Sequence, residues 1–384
     1  MTVPLPEQGD GRRRRRRAAR RRRGWRLVAS AVGVVFGLAV LGGLAWTVAG
    51  LFDGDDDDGS PRAGDDVSRT GGPGPALAVL TDDAGRLYGI TLLVPAADTI
   101  VHVPPGTLVE VPSLGLASLQ EAAEAGGDDL LRQSLENLLG ARLDEVIDVD
   151  PARLAAMLTD AGPLDVAVAD PVQARSASGR VEVLIPSGSF TILPENALGF
   201  LEPVGDGSAL ERIVRHQLFW SAYLAAVDDT QSDAVAALSG VDARHRVLPV
   251  EVVSEVEGEE LYRVDADGLD ELVRRVLPDA APPDGTRIRV RILNGAGTPG
   301  LAQEVQPLLV DIGAEVTLSG NADRFDYATT QVVYYEDEDL ESARAVAEAL
   351  GVGEVVKSRT PLAVVDVTVV VGADFLAAHP GGTP

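Results

Sequence analysis

The stretch "RVRILNGAGTPGLAQEV", Arg289 to Val305, runs from β-favouring residues through Gly295, Gly297 and Gly300 into a helix-like segment. Strand, G-x-G-x-x-G, helix is the arrangement that seats a dinucleotide pyrophosphate on a helix N-terminus. Such a site also needs an acidic residue at the tip of the following strand, roughly 20 residues on, to hold the ribose. Here that strand, "EVTLSGN", ends in Ser319, Gly320 and Asn321, while Glu315 stands at its start and Asp323 past the turn. The segment is also too short for two mononucleotide-binding halves. The glycines are therefore read as permitting a tight strand-to-helix turn, with Pro299 and Gly300 opening the helix, and no dinucleotide cofactor is expected. An exposed helix start can still offer N–H groups to an anion.

Outward from this turn the pattern predicts strands at Arg287–Leu293, Glu315–Leu318, Thr330–Tyr335, Glu354–Val356 and Val365–Val371. Helices are predicted at Leu301–Ile312 and Leu340–Leu350. Together they make a small α+β module of βαββαβ type at 286–376, with a short tail at 377–384. A Pro-rich linker, "PDAAPPDG" at 278–285, precedes it. Residues 76–277 alternate strands and helices and suit a three-layer α/β domain of about 200 residues. Within it, "SLQEAAEAGGDDLLRQSLENLLG" reads as two helices split at Gly126 and Gly127, with Leu130, Leu131, Leu135, Leu138 and Leu139 on one face. "PARLAAMLTDAG" is a helix with Pro at its first turn and Gly at its end. "GSALERIVRHQLFWSAYLAAV" is a long helix.

Charge divides the chain. Residues 1–26 hold eleven Arg against Glu7 and Asp10, a net +9, so the remainder carries −35 of the total −26. Leu27–Phe52 has no charged residue and is long enough to cross a hydrocarbon core of about 30 Å as a helix. Trp25 and Trp46 fall near its two edges, and the Arg block should hold the N-terminus in the cytoplasm. The expected topology is a single-pass protein of the cell membrane, with everything after Phe52 extracytoplasmic. A cleaved signal peptide, with Thr47 and Ala49 at the cut, fits less well, because its apolar core is about 7–15 residues. The Arg tail is expected to bind anionic lipid head groups at about 1 kcal/mol per residue. No basic patch exists elsewhere, so nucleic acid is not an expected partner.

Residues 53–75 are an acidic Gly/Pro linker. Asp53, Asp55 and Asp57 have calcium-loop spacing, but Asp58 stands where Gly is needed and Gly64 where a bidentate Glu is needed. The chain has no Cys, which removes disulfides, thiolate catalysis and Cys-ligated metals. Its four His (102, 216, 245 and 379) form no i,i+4 pair, so no His-rich metal site is expected.

Several spaced motifs carry a family resemblance. "VRILNGAGTPGLAQEVQPLL", "LSGNAD", "TTQVVYY" and "VTVVVGADF" resemble the C-terminal domain of the LytR–CpsA–Psr (LCP) envelope proteins, a non-catalytic accessory module. More faintly, Ala76–Val276 resembles that family's catalytic domain, through "TIVHVPPGTLVEVPSLG", "FTILPENALGF", "ERIVRHQLF" and "RVLPVEV". Active members transfer glycopolymers from a polyprenyl pyrophosphate carrier to peptidoglycan, with Arg holding the pyrophosphate and carboxylates positioning Mg²⁺. Planar bidentate guanidinium suits that doubly anionic leaving group.

Residue by residue, most of this set is missing. The family's P-R-D-T loop becomes Pro104-Pro105-Gly106-Thr107, the Arg-bearing strand places Glu202 where an Arg belongs, and the Asp before the last helix is replaced around Ala209. Arg212, Arg215 and Gln217 remain, and with Thr107 they are the candidate phosphate or pyrophosphate ligands. Ordinary ion pairs with neighbours such as Glu211 are the competing role for the arginines. His216 beside them is read as a helix-surface residue. No catalytic residue is assigned, since each lost transition-state donor costs about 10²–10³ in rate.

The sequence thus points to a membrane-anchored, non-catalytic envelope protein that binds a polyprenyl-linked glycopolymer, peptidoglycan or another envelope protein. The alternative is an active glycopolymer transferase or polyprenyl-pyrophosphate phosphatase using atypical residues, the one case in which Mg²⁺ is expected. A third role is electrostatic, with the strongly acidic ectodomain repelling wall polymers or collecting divalent cations.

Overall fold

The structure, a computed structural model, describes residues 72–380 apart from 113, 177, 229, 257–258, 281–286, 361 and 363. The expected cytoplasmic tail, membrane helix and most of the acidic linker lie outside the described residues. Among those described, no helix is long and apolar enough to cross a membrane.

The central region starts with β1 (Ala76–Thr81), β2 (Leu87–Val94), β3 (Thr99–Val103), β4 (Thr107–Val111) and β5 (Gly115–Ser118). Helix α1 (Leu119–Leu139), β6 (Glu145–Val149), α2 (Pro151–Ala161), β7 (Leu164–Val168), β8 (Val172–Arg175), β9 (Val181–Ile185) and β10 (Gly188–Ile192) follow. Then come α3 (Ala197–Leu201), α4 (Ala209–Ala226), α5 (Asp233–Leu238), β11 (Arg244–Val247), β12 (Val250–Val256), β13 (Glu259–Val264) and α6 (Ala266–Val276).

The main sheet has five strands in the order β11-β3-β2-β1-β6. Strand pairs β1/β2 and β2/β3 are antiparallel, whereas β1/β6 and β3/β11 are parallel. Its pleat sends Ala76, Ala78 and Leu80 of β1 to one face and Leu77 and Val79 to the other. The first face is covered by α2, α3, α4 and α5, and the second by α1 and α6. That is the expected three-layer arrangement. A four-stranded sheet, β12-β13-β4-β5, and the two-stranded pairs β7/β10 and β8/β9 complete the region.

The split at Gly126–Gly127 and the Pro-led helix start expected from the sequence are in place, and side-chain caps accompany them. Ser118 caps α1, with Glu121 answering back in a capping box, and the helix breaks at Gly126 and Gly127 where φ/ψ leave the helical region. Asp150 caps α2 through a 2.6 Å bond from Arg153 N, with Pro151 at the first turn.

The C-terminal region contains β14 (Arg289–Asn294), α7 (Leu301–Val310), β15 (Glu315–Asn321), β16 (Gln331–Tyr334), α8 (Leu340–Leu350), β17 (Glu354–Lys357), β18 (Val367–Val371) and α9 (Ala373–Ala378). Its sheet has five strands, β15-β14-β18-β16-β17, and α7 and α8 share one core cluster with it. The module is thus a two-layer α+β unit with the five strands and two helices expected, and it adds a final short helix. The opening glycines do what a turn requires. Gly297 and Gly300 have φ of 74° and 78°, and a Cβ on Gly295 would lie 2.8 Å from Val371 O. Asn294 closes the loop itself, accepting from Gly297 N and donating to Thr298 O, both at 2.8 Å.

Residues 72–361 and 365–380 fall in one compact unit, and specific polar contacts join its central and C-terminal regions. Asn137 of α1 imitates a peptide group, donating to Val316 O at 2.9 Å and accepting from Val316 N at 2.8 Å. Glu110 of β4 accepts from Ser319 N (2.8 Å) and Ser319 Oγ (2.6 Å). Burial pushes the Glu110 carboxyl up, and these two bonds partly offset it. Arg287, 4% exposed and expected to begin a strand, instead donates to the carbonyls of Asn137 and Leu138 and satisfies the C-terminus of α1. Arg142 adds bonds to Asp311 (2.7 Å) and Pro307 O (2.9 Å) at the rim.

Candidate functional site

Three of the four candidate ligands, Arg212, Arg215 and Gln217, lie on the N-terminal half of α4, whereas Thr107 begins β4. That helix begins at Ser208, whose Oγ accepts from Leu210 N. A distant carboxylate reinforces this start: Glu260 of β13 accepts from Ser208 Oγ (2.6 Å), Ala209 N (2.8 Å) and Tyr262 OH. A carboxylate has therefore arrived from another strand beside the spot where the resembled family carries one in sequence. Here it serves the helix N-terminus, where negative charge is stabilised.

One turn on, Arg212 and Arg215 face the end of α3. Arg215 is 3% exposed and donates to Phe200 O at 2.7 Å and to Pro203 O. Arg212, half-buried, reaches Glu202 O at 3.3 Å. The two guanidinium groups thus close the carbonyl end of α3 rather than pairing with Glu211. Burial pulls Arg215 down to about 10, with the Arg212 charge adding to it and Glu211 opposing. Burial also lowers Arg212, against the attraction of Tyr262, Glu202, Tyr88 and Glu259.

Thr107 has no accessible surface, and its hydroxyl donates back to Pro104 O at 2.7 Å. Its neighbour Gly106 lies so close to β13 that a Cβ there would meet Glu260 O at 2.1 Å. Gln217 is half-buried on α4. Of the four predicted ligands, only Arg212 and Gln217 keep partial access to solvent.

His216 is 2% exposed, which corrects its reading as a helix-surface residue. Its ring lies over Gly89, where a Cβ would come within 2.5 Å of the imidazole, and its Nε2 is 3.3 Å from Leu201 O. The absent side chain at Gly89 lets a helix histidine lie flat on the sheet. Burial and then the charges of Arg212 and Arg215 hold His216 down at about 3, so the ring is neutral at physiological pH. Tyr88 approaches it edge-on at 5.9 Å between centroids. The Tyr88 hydroxyl is buried without a hydrogen-bond partner, and burial pushes its pKa up. Arg86 sits at the rim, 2.7 Å from Asp82 and 3.6 Å from Glu202.

Beyond the arginines, the layer between sheet and helices is filled by aromatics. Phe200, Phe219 and Trp220 have no accessible surface, so no water-sized space touches them. Each buried aromatic is worth about 1.5–3 kcal/mol of stability. No group of three His, Asp or Glu among the described residues could hold a metal ion.

Because Arg215 is held by protein carbonyls, its expected role is structural. Arg215→Ala should lower stability by about 2–4 kcal/mol, from buried carbonyls left unpaired. Arg212→Ala should cost under about 1 kcal/mol. Urea unfolding of the two variants checks this; equal effects would mean that Arg215 is not the anchor of α3.

This geometry can be set beside known proteins. Residues 287–375 match the family described as LytR cell envelope-related transcriptional attenuator. Two curated relatives come from Corynebacterium glutamicum. The cell wall biosynthesis protein LcpA is 24% identical over 287 residues, 61% of this chain and 54% of LcpA. The probable cell wall biosynthesis protein LcpB is 29% identical over 130 residues, 33% of this chain and 30% of LcpB. The chain thus spans about half or less of the length of these relatives. Among solved structures, TagT bound to LIIa-WTA is 18% identical with a TM-score of 0.44, covering 54% of this chain and 90% of that one. The family protein YwtF (TagT) with bound octaprenyl pyrophosphate lipid is 17% identical with a TM-score of 0.42, covering 54% and 89%.

The chain is thus similar to cell wall biosynthesis proteins of the bacterial envelope. More particularly, residues 287–375 match the LytR C-terminal domain.

Proposed function

We propose that this protein is a membrane-anchored, extracytoplasmic accessory factor in wall glycopolymer assembly that binds a polyprenyl-linked or wall component without transferring it. The observation that carries this reading is the state of the remaining cations. Arg215 is buried against Phe200 O and Pro203 O, Arg212 points at Glu202 O, and the Thr107 hydroxyl turns inward to Pro104 O. Phosphoryl chemistry needs positive charge aimed at the leaving group. At this site the carboxylates that act on the two arginines, Glu202, Glu259 and Glu211, bring the opposite sign.

The closed aromatic layer supports a ligand recognised by its polar head or sugar. A polyprenyl tail could enter there only by displacing Phe200, Phe219 and Trp220. The relatives LcpA and LcpB, named for cell wall biosynthesis, support the same cellular setting.

The test has two arms. Purified ectodomain immobilised on a resin should retain lipid-linked glycopolymer from envelope extracts. The same protein, given Mg²⁺ and a polyprenyl pyrophosphate, should release no phosphate above background, and Arg212→Ala should change nothing. Turnover at the rate of an active family member, lost in Arg212→Ala, would establish the transferase or phosphatase alternative instead.

A further inference from the structure

A second polar assembly lies on the same sheet face, at the opposite half of α4. Ser221 is exposed there, and its Oγ is 2.8 Å from His245 Nε2 on β11. His245 Nδ1 is 2.9 Å from His102 Nε2 on β3, and the two ring planes are 10° apart. His102 Nδ1 in turn lies 3.4 Å from Thr91 Oγ1 on β2. Strand register explains the alignment. His245 stands opposite Ile100 and His102 opposite Val247, so both imidazoles leave one face of the sheet as diagonal neighbours.

Access falls steadily along the row. Thr91 and His102 have no accessible surface, His245 is half-buried, and Ser221 faces solvent. An open hydroxyl, a base touching it, and a buried group fixing the base's second nitrogen are the parts of nucleophilic acyl transfer. Nothing in the phosphate-site resemblance accounts for them.

We infer that Ser221 and His245 form a nucleophile–base pair, positioned by His102, that accepts an acyl group from a carboxylic ester. Ser221 Oγ attacks the ester carbonyl carbon while its proton passes to His245 Nε2. The carbon–oxygen bond to the alcohol then breaks, and the alcohol leaves with that proton. Water attacks the acyl-serine, giving a proton to His245, which returns it to Ser221 Oγ as the carboxylic acid departs. This direction requires His245 Nδ1–H to donate to His102 Nε2, with His102 Nδ1–H directed at Thr91 Oγ1. Burial holds His245 down at about 4, countered by the charge of Asp242, so its lone pair is free at neutral pH. Strand β11 lies at the edge of its sheet; Leu248 N donates to His102 O of β3 and Arg244 N to Asp98 O just before that strand. By alternation, the N–H groups of His245 and Val247 turn to the open edge, where a developing oxyanion can find donors.

The experiment uses the full-length chain in detergent with a fluorophosphonate probe and 4-nitrophenyl acetate. The expected result is a single adduct on Ser221, located by peptide mass, and ester turnover abolished in Ser221→Ala. Both rates should fall at least about 100-fold in His245→Gln. His102→Gln, whose amide still meets His245, should keep more of the rate than His102→Leu, with both compared at equal folded fraction. A second measurement does not depend on any histidine variant. The chain has no Cys, so Ser221→Cys introduces a sole thiol, which iodoacetamide should alkylate at least about 10-fold faster than the thiol of Ser178→Cys. An unlabelled Ser221, labelling undiminished in His245→Gln, or equal alkylation of the two thiols would overturn the inference.

Discussion

Lowering the pH from 7 to 5 is expected to destabilise the folded protein by about 6 kcal/mol, at about 2 kcal/mol for each of three histidines kept neutral by the fold. His102, His216 and His245 all titrate below their ordinary value in the folded state, His216 at about 3 and His245 at about 4. Burial is the leading cause for each. His216 also faces the charges of Arg212 and Arg215, His102 faces His245 and His216, and Asp242 opposes the shift at His245. A depressed histidine gives up its proton on folding. Its stabilisation is therefore complete above the unfolded value, near 6.5, and is lost as the pH falls toward the folded one. Glu110 and Asp148, which burial raises, act in the opposite sense as they take up protons.

Urea unfolding between pH 7.5 and 5 measures the slope. His102→Gln should flatten it by about 1.4 kcal/mol per pH unit, the share of one proton. A midpoint that stays constant across this range would mean that the three rings are not held neutral.

The second large effect is expected where the two regions join. Arg287→Leu removes the only cation bonded to the carbonyls of Asn137 and Leu138 among the described residues, and should cost about 2–4 kcal/mol. Asn137→Leu strands both Val316 N and Val316 O and should cost a similar amount, about 2–4 kcal/mol. Both variants act on one junction, so the double variant should fall short of the sum by about 0.5–3 kcal/mol. Denaturant titration of the four proteins decides the matter. Losses below about 1 kcal/mol would show that the regions hold together without this seam.

What the sequence revealed follows from how far each interaction reaches along the chain. The break at Gly126–Gly127, the Asp150–Pro151 helix start and the turn at Gly295–Gly300 are local, and residue type alone specifies them. Alternation and helical periodicity also located the main strands and helices. The β8/β9 hairpin escaped because Val181, Val183 and Leu184 are exposed, so its strands do not alternate as half-buried ones do.

The site was legible only in part. The sequence placed Arg212 and Arg215 on one helix face, yet it could not show that the carbonyls of residues 200–203 would occupy them. Nor did it suggest that Glu260 would cap α4 from a strand about 50 residues away, or that His102 and His245 would meet across 143 positions. His216 looked like a surface residue because its neighbours are charged. It is buried because Gly89, on a different strand, leaves room for its ring.

The contacts of Asn137 and Glu110 with β15 also bear on how the C-terminal region behaves when cut loose. β15 is the outermost strand of its sheet, and those two side chains occupy hydrogen-bonding positions that another strand would otherwise take. A fragment starting near Thr286 would bare that ladder and offer it to a second copy of itself. Dimers or fibrils of such a fragment would report the missing cover, not a natural assembly.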